Sequence, residues 1–168
     1  MLDVTTGQVT TPRTGALEDD GLTHEFWDPD GKSVWYDIST AGALTHLDLR
    51  TGLEARYIYR TESSVRGNRS IHYAIGPDAQ WAVGDGFQGD NPWFYLYQLN
   101  RRDPKSQAVP VERFCDFSAH YNNPNAAYHE PNPHLTPDAR WVLFTAHLKG
   151  NANQVYAVEI PATAGAGN

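Results

Sequence analysis

The sequence predicts an all-β chain of repeated antiparallel units, on three observations. A Pro-Asp pair recurs as Pro29-Asp30, Pro77-Asp78 and Pro137-Asp138, at spacings of 48 and 60 residues. Each pair is followed by an apolar strand-like run: SVWYDIS (33–39), WAVGDG (81–86) and WVLFTAH (141–147). The composition is 12% aromatic, with five Trp and nine Tyr, and such side chains suit a pleated surface. Short strands in repeats of about 40–50 residues are the pattern of β-propeller blades. A plain β-sandwich is the competing architecture; the regular spacing of similar turns favours the propeller.

The opening LDVTTG (2–7) returns as LDLRTG (47–52), a period of 45 residues, so the chain begins at the end of the third strand of a unit. The first whole unit runs through HEFW (24–27), Pro-Asp-Gly, SVWYDIS, ALTHLDL (43–49) and EARYIYR (54–60). In each turn Pro presets φ and Asp bonds its own backbone. The second unit runs through HYAI (72–75), WAVGDG, WFYLYQL (93–99) and VPVERFCDF (109–117). The third shows WVLFTAH and QVYAVEI (154–160), with no fourth run after them. Three antiparallel units on a four-stranded plan, the last without its fourth strand, and the end of another are fewer than the roughly 4–8 blades of a closed propeller. The expectation is therefore a partial propeller domain over 1–161, the C-terminal part of a larger ring, with a fraying tail of small residues at 162–168. Open blades expose apolar faces and strand edges. A second copy, or a chain carrying the missing blades, would cover them. The loop NNPNAA (122–127) reads equally as a surface excursion and as a lip over the channel mouth.

Bulk properties exclude several partners. The net charge of −7 argues against a nucleic-acid backbone. It leaves room for an anionic sugar held through a local metal or Arg cluster. Cys115 is the single cysteine, so there is no disulfide framework and no Cys-based zinc site; it is expected to pack as an apolar residue. MLDVTTGQVTT has neither a basic start nor an apolar core, unlike a signal peptide. No apolar run approaches the roughly 18–20 residues of a membrane span, so no membrane partner is expected.

Five residues before each repeated Pro stand His24, His72 and Asn132. The innermost strand of each blade lines the central channel, so equivalent positions near its start converge on the axis. Glu130, two residues before Asn132, falls on the same side of a strand. Two imidazoles with a carboxylate and an amide suit a borderline divalent ion such as manganese, zinc or iron. The competing reading of each is a polar turn residue. His120, in the loop entering the third unit, is placed to face the same axis, and His134 to share the face of Asn132. His129, beside Glu130, reads as pointing outward, and His46 and His147 read as structural.

THEFWDPDGKSVWYD (23–37), SIHYAIGPDAQWAVGDG (70–86) and FCDFSAH…EPNPHLTPDARWVLFTAHLKGNANQVYAVEI (114–160) together resemble the oligogalacturonate lyase family. The resemblance covers nearly the whole chain but only the C-terminal part of the family's pattern. It implies a seven-bladed propeller with manganese at its axis, and β-elimination of short saturated or unsaturated galacturonate oligomers, a step in pectin degradation. It implies a cytoplasmic location, the alternative being periplasmic as in relatives with exported N-termini. His24 matches a family metal ligand, and His72 falls at the corresponding place in the next blade. Where members carry Gln-x-x-His-Pro-His, this sequence reads Ala127, Glu130 and Asn132. The family's proton-abstracting histidine and a neighbouring arginine lie upstream of the HEFW blade, which leaves His120 as the candidate base in this chain. Arg66 and Arg69 are candidates for pairing with uronate carboxylates, against a plain solvated role.

Two other function classes fit the residues. One is a non-catalytic propeller that binds a sugar or a protein; the other is a part that acts only with a partner chain supplying the other blades. Fold by itself does not decide among them.

Overall fold

A computed structural model of the chain describes residues 5–9, 22–38, 43–58, 70–86, 92–99, 109–123, 130–149 and 152–162. The expectations for Leu2–Val4, Arg66, Arg69, His129, residues 124–127 of the Asn-Pro loop and 163–168 of the tail lie outside these residues. The described chain is all-β apart from one short helix.

The first sheet contains β1 (Leu22–Trp27), β2 (Ser33–Ile38), β3 (Ala43–Asp48) and β4 (Glu54–Ile58), antiparallel and in chain order. The second repeats that order with β5 (Tyr73–Ile75), β6 (Trp81–Gly84), β7 (Trp93–Gln98) and β8 (Val109–Asp116). Helix α1 (Ser118–Tyr121) leads on toward the third sheet, β9 (His134–Leu135), β10 (Trp141–Ala146) and β11 (Gln154–Glu159), in the order β11-β10-β9. Every strand run expected from the sequence is a strand. Among the described residues β11 pairs only with β10, leaving the third sheet at three strands.

The repeated turns are built alike. Asp30 Oδ1 accepts the N–H groups of Lys32 and Ser33 at 2.6 and 3.0 Å. Asp78 Oδ1 accepts from Gln80 at 3.0 Å, and Asp138 Oδ1 from Arg140 at 3.2 Å. The residue after each Asp is left-handed: Gly31 at φ 65°, Ala79 at 53° and Ala139 at 54°. Only the first of the three uses the residue that adopts this conformation without a Cβ penalty. The second repeat also has a structural counterpart. Gly7 and Gly52 have φ 69° and 71°. In each case the following N–H, of Gln8 or Leu53, donates to the Thr6 or Thr51 hydroxyl at 3.3 Å.

The sheets pack face against face. Trp35, Leu44 and Tyr57 of the first sheet meet Tyr73, Ile75, Ala82 and Tyr97 of the second in one core. The other face of the second sheet, through Val83, Phe94 and Leu96, packs on Val142, Phe144 and Ala146 of the third. Strand β6 is therefore buried at every residue, whereas β10 alternates between exposed and buried. On the outer face of the third sheet, Trp141, Leu143 and Val155 reach solvent. Open blades are expected to leave such a face.

Close approach at Gly84 locks the second sheet to the segment before it. A Cβ there would lie 2.2 Å from Ser70 Oγ and 2.9 Å from the Tyr97 ring. Ser70 Oγ is 2.9 Å from the Tyr97 hydroxyl and accepts the Gly86 N–H at 2.9 Å. Gly84→Ala is expected to destabilise the fold by roughly 1–3 kcal/mol through overpacking. Chemical denaturation checks this, and an unchanged midpoint contradicts the close approach.

Candidate functional site

His24 lies inside β1, at an irregularity in the sheet. The register runs Thr23↔Asp37 and then Phe26↔Trp35, so His24 and Glu25 together oppose Tyr36. This is a β-bulge, which re-aims a side chain and breaks the two-residue alternation of the strand. His24 is left-handed at φ 60°. Asn132, at the matching offset, is also left-handed at φ 49°. Asn tolerates that conformation better than most residues, and His is enriched in it though less common. His72 immediately precedes β5, and Asn132 stands two residues before β9. Glu130 and Asn132 are not on a strand, so the two-residue alternation does not place them. They reach the same region by another route. The Asn132 side-chain amide donates to the Glu130 backbone carbonyl at 3.2 Å, while the Glu130 carboxylate turns toward His72.

Three of the four candidate ligands line one cavity, and the fourth, Glu130, lies against His72. The rings of His24 and His72 meet edge to face, with centroids 4.6 Å apart at 78°. Glu130 Oε2 lies 3.3 Å from His72 Nε2. His24, His72 and Asn132 line a cavity of about 380 Å³, together with Glu25, Phe26, Tyr73, Pro133 and His134. His134 thus shares the cavity with Asn132, as expected from the sequence. His24 Nδ1 is buried without a hydrogen-bond partner. Among the described residues, no three His, Cys, Asp or Glu side chains are gathered as a ready metal cluster.

Asp85 is the site residue that sequence reasoning missed. It is buried, and its Oδ2 lies 2.7 Å from His72 Nδ1. Its Oδ1 accepts the N–H groups of Ile71 at 3.1 Å and His72 at 2.9 Å. The signal was in the repeat: the residue eight after each repeated Pro is Asp37, Asp85 or Thr145. Asp37 is buried in the first sheet, and the Thr145 hydroxyl donates to the Glu130 carbonyl at 3.2 Å. Burial by itself opposes a charge on His72. The hydrogen bond and charge of Asp85, with the charges of Glu130 and Asp37, outweigh it and raise the imidazole pKa above its usual value. Burial, followed by the charges of Asp85 and Glu130, also pushes the Tyr121 hydroxyl well above its ordinary range.

His120 lies on α1, fully buried, and its Nδ1 accepts the His147 N–H at 3.0 Å. Its ring meets Tyr121 edge to face at 4.6 Å, and it is absent from the lining of the His24–His72 cavity. His46 is buried beside Asp28, with Nε2 at 3.6 Å from a carboxylate that also accepts the Trp35 indole N–H at 2.7 Å. Cys115 is half-buried against the second core, and burial raises its thiol pKa.

No family model matches the sequence, and no curated protein matches it. Several solved structures match the fold. An oligogalacturonate lyase in complex with manganese aligns with a TM-score of 0.54 at 22% identity, covering 85% of this chain and 36% of that one. A protein from Bacteroides uniformis assigned as a 6-phosphogluconolactonase aligns with a TM-score of 0.54 at 16% identity, covering 88% and 38%. TolB from Acinetobacter baumannii aligns with a TM-score of 0.54 at 20% identity, covering 85% and 31%. These sheets are blades of a β-propeller. The chain covers between 31% and 38% of the length of each structure. The three matches carry three different descriptions, so the shared property is the fold.

The left-handed backbone at His24 yields a prediction. A Cβ in that conformation costs about 1–2 kcal/mol, which glycine relieves. His24→Gly is therefore expected to keep the protein as stable as the parent or raise its stability by up to about 1 kcal/mol. Thermal unfolding checks it, and a clear loss of stability would show that the His24 ring contributes more to packing than its backbone costs.

Proposed function

We propose that the cavity lined by His24, His72 and Asn132, with Glu130 against His72, binds a divalent cation, manganese foremost. Through that cation it would hold a uronate carboxylate of an acidic oligosaccharide for cleavage by β-elimination. The observation that carries this reading is the 3.3 Å approach of Glu130 Oε2 to His72 Nε2. With Nδ1 committed to a carboxylate, the Nε2 of a neutral ring is an acceptor facing a second acceptor. That pair repels unless a proton or a metal cation lies between them. His24 and Asn132 line the same cavity and offer an imidazole and an amide, donor types that a borderline ion takes. The manganese in the matching lyase structure supports the same choice of ion.

Bound there, the cation would act as a Lewis acid on the uronate carboxylate, whose neighbouring C–H becomes more acidic. In the elimination, a base removes that proton, a carbon–carbon double bond forms, and the bond to the glycosidic oxygen breaks. His24, His72 and Glu130 orient the carboxylate through their hold on the cation, and Asn132 adds an amide that carries no charge. His120 is the candidate base within this chain. For it to act, its Nδ1 must first leave the His147 N–H. A second reading, a propeller that binds without cleaving, is favoured by the equal TM-scores of matches with unrelated descriptions.

The test is metal content by elemental mass spectrometry after manganese loading. The parent is expected to retain a single divalent ion per chain, and His24→Ala and His72→Ala to lose it. With metal retained, galacturonate oligomers are expected to yield a product absorbing in the ultraviolet through its new double bond. Metal retention with sugar affinity but no such product identifies the binding module. A parent that holds no metal in excess manganese overturns the site.

A further inference from the structure

We infer that Asp85 is a positioning residue: it fixes His72 as the tautomer with its proton on Nδ1 and turns the Nε2 lone pair toward Glu130. The consequence for metal binding rests on the cation reading above; the tautomer does not.

The geometry leaves Asp85 little freedom. Its Oδ2 meets His72 Nδ1 at 2.7 Å, and its Oδ1 accepts two consecutive backbone N–H groups, from Ile71 and His72. Two further bonds close the clamp. The Asp85 N–H donates to the His72 carbonyl at 3.3 Å, and the Ile71 N–H donates to the Gly86 carbonyl at 3.0 Å. The carboxylate is therefore held against the backbone of the residue whose ring it orients, and it is 3% exposed. A carboxylate can only accept, so the Nδ1 it touches must carry the hydrogen. In a neutral imidazole the other nitrogen then has the lone pair. That nitrogen lies 3.3 Å from the Glu130 carboxylate. A carboxylate behind a ligating histidine fixes both the tautomer and the direction of the ring, and losing it typically costs about 10–100-fold in metal affinity.

The same clamp makes Asp85→Asn an informative change. The two backbone N–H groups still require an oxygen at the Oδ1 position. The Asn amide nitrogen is therefore forced into the Oδ2 position, facing His72 Nδ1. An amide NH₂ only donates, so Nδ1 must accept and the ring proton must move to Nε2. The side-chain volume is nearly unchanged, which preserves the fold.

The experiment records long-range ¹⁵N–¹H correlations of the His72 ring in metal-free protein at alkaline pH, with manganese titration calorimetry alongside. The parent is expected to show Nδ1–H, and Asp85→Asn to show Nε2–H with manganese affinity lowered by about 10–100-fold. The parent spectrum needs no variant, and Nε2–H in the parent overturns the inference. So does an Asp85→Asn protein that keeps Nδ1–H. If the tautomers are as expected but the parent does not bind manganese, Asp85 has the assigned role and the cation reading fails.

Discussion

Ala82 and Val83 are neighbours on one strand, both fully buried, and they face opposite ways into different cores. That two-sided burial of the second sheet is the constraint on which the other sheets depend. A sheet with one face in water can slide or tilt on its partner at modest cost. A sheet pressed between two others cannot, because interiors are close-packed and each shift opens a void on one side. The second sheet thereby sets the separation of its neighbours. It also sets where the ends of β1, β5 and β9 point, and so why His24, His72 and Asn132 meet. Gly84 and the Ser70–Tyr97 contact extend the same control to the segment that carries His72.

Much of this was legible in the sequence because a repeat samples the same physics several times. One Pro-Asp pair is a turn; three at similar spacing, each followed by an apolar run, are a blade architecture. The Asp-to-backbone bonds and left-handed third residue recur in all three turns, including the two where Ala stands in place of Gly. The strands were readable because apolar runs between turns have few other uses. The offset that singled out His24, His72 and Asn132 did bring them to one cavity.

The rest was hidden for physical reasons. A bulge is a one-residue excess in pairing, and pairing partners are far apart in sequence. The irregularity between Thr23 and Phe26 shows only when β1 is set against β2. The two-residue alternation does not apply to Glu130 and Asn132, because neither lies on a strand and Asn132 is left-handed. Asp85 stands near the end of the run WAVGDG, and its approach to His72 shows only when β6 is set against β5. The repeat would have exposed it, since the same offset gives Asp37 in the first sheet. His120 fell on the expected short connection, but its Nδ1 is already engaged inside the protein. Of the four described non-glycine residues in left-handed backbone, His24 and Asn132 border the cavity, and Ala79 and Ala139 stand in the repeated turns. Natural sequences tend to depart from local preference at functional sites.

The electrostatics of the cavity bear on what it would hold first. Glu130 and Asp85 lie against His72, and the charge of Asp37 also reaches it, within a chain of net charge −7. A uronate arriving alone meets a surface that is acidic at close range, and only a protonated imidazole would attract it. A cation, on the proposed reading, would meet imidazole and carboxylate donors there, and on binding it would reverse the local sign. On the proposed reading, therefore, the order is fixed by charge: cation first, acidic sugar second. The acidity that would repel the substrate is then what holds the ion that recruits it.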